Sequence, residues 1–181
     1  MFRRSIGTTY NPLMIKNFAS ALTLSALLAG CSPAPQSAQS VLPVMTAPMV
    51  DLAGQPTSLA AYRGRPLVIN FWARWCDPCR REIPDLVAER RRLHSRGVEL
   101  VGVALESDAA GVREFAVAQG IDYPIVLAGE DGGLSLMQGM GNTNGGLPYT
   151  VALDGKGGIR ATKLGAMNRR EIVMAFEAAL D

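Results

Sequence analysis

Five residues, Trp75-Cys76-Asp77-Pro78-Cys79, stand between an apolar run and a helical pattern, and that junction limits the possible folds more than any other stretch. The run before it, Leu67-Val68-Ile69-Asn70-Phe71-Trp72, predicts a buried strand. The stretch that begins Cys79-Arg80-Arg81-Glu82 places Ile83, Leu86, Val87 and Leu93 at roughly helical spacing. Two cysteines two residues apart at a strand-to-helix junction have a definite chemistry. The first thiol meets unpaired backbone N–H groups and the positive end of the helix dipole, which stabilise its thiolate. The second lies one turn in, within reach of a mixed disulfide on the first. A C-x-x-C pair alone is ambiguous, but Trp75 before it, Pro78 inside it and the strand–helix context point to thiol–disulfide exchange.

The segment Phe71-Trp72-Ala73-Arg74-Trp75-Cys76-Asp77-Pro78-Cys79-Arg80-Arg81-Glu82 resembles the membrane-tethered, extracytoplasmic thioredoxin-like proteins of the TlpA/ResA group. The resemblance extends from about Ala47 to the C-terminus. It implies an α/β, thioredoxin-like fold: a central mixed sheet flanked by helices, with an N-terminal hairpin and a helix–strand insertion typical of that group.

The front of the chain divides into two parts. Residues 1–30 hold Arg3, Arg4 and Lys16, no acid, and a short apolar stretch over 18–30, and they read as an export signal peptide. Met14 opens a complete short signal of its own and is an alternative start. Leu28-Ala29-Gly30-Cys31 looks like a bacterial lipobox, which by resemblance makes Cys31 the lipidated first residue of the mature protein. An uncleaved anchor helix with an incidental cysteine is the alternative. Residues 31–43, rich in Ser, Pro, Ala and Gln, read as a lipidated flexible tether, and 44–181 as the thioredoxin-like domain. Past residue 30, 15 of the 18 basic side chains remain against 16 acidic ones. That near-neutral balance gives no reason to expect a nucleic-acid partner.

Met49–Leu52 and Thr57–Leu59, parted by Ala53-Gly54-Gln55-Pro56, predict the hairpin. The active-site helix is expected to run to about Ser95 with Pro84 inside it, followed by a continuous apolar strand from Val98 to Leu105. Ser107 or Asp108 caps a helix with Val112, Phe115, Ala116 and Gln119 along it, which Gly120 ends before a strand at Tyr123–Leu127. The glycine-rich stretch 129–146 predicts loop, with a single helical turn at Leu134–Met137. Tyr149–Leu153 and Ile159–Leu164 predict a second hairpin. Asn168-Arg169-Arg170-Glu171 then opens a last helix that buries Ile172, Val173, Phe176 and Leu180.

Cys76 is the expected nucleophile and Cys79 the resolving thiol, the two forming the redox disulfide. By resemblance, Glu82 is a partly buried acid that takes up the proton of Cys79; an exposed acid serving the helix dipole is the alternative. Thioredoxins proper place an aspartate just before the Phe-Trp pair, whereas Asn70 stands here, which favours Glu82 as proton carrier. Pro148 matches the cis-proline of thioredoxin-like folds. By that match Leu147 presents its backbone to a substrate segment as an added strand. The cytochrome-c-maturation members carry Glu-Thr-Phe after this proline; Tyr149-Thr150-Val151 follows here and departs from that specialised role. Trp75 offers either an apolar landing face over the disulfide or ordinary core packing. Arg80-Arg81 and Arg90-Arg91-Arg92 form a basic face.

The combined expectation is a thiol–disulfide oxidoreductase of the bacterial cell envelope, facing the periplasm or exterior and held to the bilayer through Cys31. It reduces disulfides of exported proteins without cofactor or metal, and by resemblance is re-reduced by a membrane electron donor of the DsbD/CcdA type. An oxidase or isomerase would use the same residues. A peroxiredoxin-like peroxidase lacks support at Ala73, where that family has threonine. A copper-binding module would have to draw on Met137 and Met140. Zinc would need about four ligands, and His94 is the only histidine.

Overall fold

The structure, a computed structural model, describes residues 41–181. The expected signal peptide of 1–30, the expected lipidation site Cys31 and all but the end of the expected tether lie outside the described residues. Val41 is buried, and a short helix α1 (Leu42–Met45) follows it. The folded body therefore takes in the last residues of the expected tether. Val44 and Met45 share a buried cluster with Leu59, Phe71 and Met137, so these are core residues.

Seven strands make one mixed sheet, in the order β2-β1-β5-β4-β3-β6-β7. The N-terminal hairpin is β1 (Met49–Asp51) with β2 (Pro56–Thr57). At the centre lie β3 (Leu67–Trp72) and β4 (Glu99–Ala104), parallel, with β5 (Ile125–Leu127) parallel to β4. On the other side of β3, β6 (Tyr149–Leu153) runs antiparallel and turns back into the edge strand β7 (Ile159–Leu164).

Every side chain of β3 is buried, because the sheet is covered on both faces. The strand's two-residue period divides them. Val68 and Trp72 pack against α2 (Asp77–Leu93), α3 (Ala109–Gln119) and α5 (Arg169–Leu180). Leu67, Ile69 and Phe71 face α1 and α4 (Gly129–Gly139). Asn70 shares the first face, and it alone of the strand is polar.

The caps follow the chemistry read in the sequence. Asp108 accepts the Gly111 N–H at the start of α3, and Gly120 ends that helix at φ 65°, a left-handed conformation that glycine adopts without a Cβ clash. Asn168 and Glu171 form a reciprocal capping box on α5.

Two expectations are corrected. The stretch from Gly129 is an eleven-residue helix, where a loop with one turn is predicted. Glycine costs roughly 1 kcal/mol per helical position relative to alanine, but burial of Leu136 and Met137 against the sheet outweighs that local preference. Gly133 is what lets α4 come close, since a Cβ there would lie 2.5 Å from Leu105 Cγ. In α5 the fully buried positions are Ile172, Ala175, Phe176 and Ala179, while Val173 and Leu180 are only half-buried. Small alanines at 175 and 179 let the helix lie close to its neighbours, so the apolar stripe turns away from the two larger side chains.

Candidate active site

β3 delivers the chain to the site and α2 begins there. Cys76 is the N-cap of α2: its backbone is extended, and its Sγ accepts the Cys79 N–H at 3.3 Å. One of the four orphan donors of the helix start is thereby directed at sulfur, the geometry that favours a thiolate. Pro78 occupies the first turn, where a missing N–H removes no helical bond. Cys76 and Cys79 are joined by a disulfide, with Cα atoms 5.3 Å apart. Cys76 is 5% exposed and Cys79 fully buried, so the first sulfur is the one a partner can reach.

Trp75, adjacent to Cys76 in the chain, is 68% exposed and so is not a core residue. A groove of about 560 Å³ opens along it, lined also by Arg74, Glu106, Ser107, Asp108 and Glu130. Arg74 is held by Glu106 and, at 3.1 Å, by Asp108.

Glu82 lies one turn beyond Cys79 and is 2% exposed. Its Oε2 accepts the Met167 N–H and its Oε1 the Asn70 Nδ2–H, each at 2.8 Å. Asn70 Nδ2 also donates to Thr150 Oγ1 at 3.0 Å. Burial pushes the Glu82 carboxyl above the usual carboxylate range; the Met167 and Asn70 hydrogen bonds draw it back only in part. Buried Tyr123 has its phenol pushed up, first by burial and then by the negative charge of Glu82.

The Leu147–Pro148 peptide bond is cis. Leu147 is half-buried, packing against the cores on both faces of the sheet. Among the described residues, no hydrogen bond uses its backbone N–H or C=O.

The Redoxin family profile matches residues 36–180. The chain belongs to the Redoxin family. This Redoxin is 32% identical to thiol-disulfide oxidoreductase ResA of Geobacillus kaustophilus over 130 residues, 72% of each chain. It is 32% identical to thiol:disulfide interchange protein DsbE of Pseudomonas fluorescens biotype C over 126 residues, 67% of this chain and 66% of that one. Among solved structures it is similar to a thiol:disulfide interchange protein of the thioredoxin family from Chlorobium tepidum. That match has a TM-score of 0.62 and 30% identity, covering 75% of this chain and 95% of the other.

Other residues singled out in the sequence lie elsewhere in the Redoxin fold. His94 is exposed in a 3-10 turn after α2, remote from any cysteine in sequence. Met137 and Met140 are buried in the core against α1 and the sheet, so they serve packing. Arg90 and Arg91 engage Asp122, and Arg92 engages Glu89, which ties much of the basic face into ion pairs. The sequence reading missed Thr150 and Met167 as partners in the Glu82 network. A signal existed for Asn70, the one polar residue in an otherwise apolar strand; none existed for Met167, which contributes a backbone N–H.

Proposed function

We propose that this Redoxin is an extracytoplasmic thiol–disulfide oxidoreductase that reduces disulfides of exported proteins through Cys76 and Cys79. The observation that carries the reading is the pairing of a reachable Cys76 sulfur, seated on a helix N-terminus, with a buried second cysteine one turn in. The Cys76 thiolate attacks one sulfur of a substrate disulfide, forming a mixed disulfide and expelling the other sulfur as thiolate. Cys79 passes its proton to Glu82 and attacks the Cys76 sulfur. The Cys76–Cys79 bond forms, the mixed disulfide breaks, and the second substrate sulfur leaves as thiolate. Two electrons pass to the substrate and its two thiolates take up two protons, one of them returned from Glu82.

Leu147, with its free backbone groups beside the cis-proline Pro148, pairs with an extended substrate segment, and Trp75 covers the apolar side of the same segment. Cys31 carries the lipid that holds the protein to the envelope membrane, facing the periplasm or exterior. Among the described residues no helix is long and apolar enough to cross a membrane. The oxidised pair is returned to the dithiol by a membrane electron donor of the DsbD/CcdA type.

The deciding experiment is the reduction potential of the Cys76–Cys79 pair, by equilibration with thiol redox buffers. A value of about −250 mV or lower marks a reductant that needs an electron supply. A value between about −180 and −120 mV reverses the direction and makes the protein a disulfide donor or isomerase.

A further inference from the structure

Asn70 is fully buried in the middle of β3, in register with Gly102 of β4 on one side and Thr150 of β6 on the other. Both hydrogens of its amide are in use, one on Glu82 Oε1 and one on Thr150 Oγ1. Its own oxygen, Oδ1, is buried and has no partner among the described residues. A buried acceptor without a donor costs about 1–3 kcal/mol and calls for a reason.

We propose that the Asn70 carboxamide is a positioning residue that reverses its orientation when Glu82 gains or loses a proton, so the acid keeps a matched partner in both states. The proposal rests on Glu82 taking the Cys79 proton. The observed orientation suits the carboxylate, which accepts from Asn70 Nδ2 at one oxygen and from the Met167 N–H at the other. The Met167 backbone N–H at Oε2 can only donate, whereas the Asn70 carboxamide at Oε1 can also present an acceptor, so a proton finds a matched partner at Oε1. An O–H there would meet an N–H, donor against donor. Turning the carboxamide by half a revolution replaces Nδ2 with Oδ1. That oxygen has two lone pairs and accepts from Glu82 O–H and from the Thr150 hydroxyl, which can donate as readily as accept. The oxygen orphaned in one state thus becomes the double acceptor of the other. A leucine at 70 would serve neither state, and an aspartate would place a second acid on the same hydrogen bond.

The surroundings leave this control to Asn70. On α2 itself, the Cys76–Cys79 pair lies one turn before Glu82, and Glu89 lies two turns after it, held by Arg92 and Arg169. The Tyr123 phenol feels the charge of Glu82. Thr150 and Met167 line a cavity of about 280 Å³ between β7 and α5, whose wall also holds the Lys163–Glu171 ion pair. Among the described residues no cation bonds to Glu82, and the donors to its carboxylate are neutral.

The test follows the full chain, labelled with ¹³C and ¹⁵N, by NMR from about pH 4 to 9 in the dithiol and disulfide forms. The expected result is that both Asn70 Nδ2 protons shift with the same midpoint as Glu82 Cδ, losing their hydrogen-bonded positions as the acid protonates. Asn70→Leu is expected to move the Glu82 midpoint upward, because the hydrogen bond lost from the charged carboxylate is stronger than the one lost from the neutral acid. Fixed Asn70 resonances during the Glu82 titration overturn the proposal, as does a Glu82 that does not titrate in this range. An unchanged midpoint in Asn70→Leu also overturns it, and if that variant does not fold the wild-type titration decides. Should Glu82 not be the proton carrier, the failure shows elsewhere: the resolution rate keeps its pH dependence in Glu82→Gln, while the coupled titration persists.

Discussion

Arg169 Nε donates to Glu89 Oε1 at 2.9 Å, tying the first residue of α5 to the middle of α2 across 80 residues of chain. Arg92 Nε takes the other carboxylate oxygen at 2.6 Å. Burial pushes the Glu89 carboxyl up, but its hydrogen bonds and charge pairing with Arg92 and Arg169 outweigh this and hold it below the usual carboxylate range. Glu82, two turns earlier, has no cation beside it among the described residues and lies above that range. One helix therefore carries two buried acids displaced in opposite directions.

Arg169→Ala removes one charged hydrogen bond from a buried carboxylate. It is expected to lower stability at neutral pH by about 1–2 kcal/mol, read from urea midpoints. A depressed acid contributes stability above its unfolded pKa and loses it as pH falls through its folded one. The penalty should accordingly shrink in acid. An equal penalty at both pH values would mean that Arg169 acts by packing alone.

Glu82→Gln separates chemistry from stability. The resolution step, followed by stopped-flow loss of the mixed disulfide, is expected to lose the pH dependence that Glu82 supplies and to slow by about 100-fold or more, the scale of general acid–base assistance. Because the folded pKa of Glu82 is raised, its favourable contribution is full below its unfolded pKa and disappears as pH rises through the folded value. The variant should therefore gain on wild type in denaturant stability as pH rises. A constant difference across pH would contradict the raised pKa.

Gly102→Ala places a Cβ 2.8 Å from Trp72 Nε1 and 3.0 Å from a Tyr123 ring carbon. Both rings are buried, and Trp72 is stacked on Phe115 at 5.3 Å, so neither can yield freely. Overpacking of this kind costs about 1–3 kcal/mol. The expected readouts are a lower denaturation midpoint and altered tryptophan fluorescence. Wild-type stability would show that the sheet can spread at β4.

Trp75→Ala should leave stability within about 0.5 kcal/mol, since the side chain is largely in water. Turnover of a protein disulfide is expected to fall several-fold, while reaction with a small disulfide such as oxidised glutathione stays near wild type. An equal loss on both substrates would place the effect on Cys76 itself and remove Trp75 from docking.

Legibility in the sequence followed locality. The strand Leu67–Trp72, the helix after it, the cap at Asn168 and the hairpin through Asp154–Gly158 each show in neighbouring residues, because period and capping are short-range properties. Helix α4 did not show, since the reason for it lies on another element, at Leu105 of the β4–α3 loop. The same holds at the site. Cys76, Cys79 and Glu82 follow one another at three-residue spacing over the first two turns of α2, so their nearness could be read from spacing. Asn70, Thr150 and Met167 reach Glu82 only after sheet pairing and the docking of α5 bring them together.

Val41 and Met45 share a surface hollow with Gly64 and Arg65, just ahead of β3, and with Asp154, just after β6. Cys76 lies past the other end of β3, roughly 20 Å away along the strand at about 3.3 Å per residue. The polypeptide thus joins the folded body at the pole remote from its sulfurs. Under the lipid-anchored reading proposed above, a load applied at Val41 would fall on that end of the sheet and not on the cysteine pair.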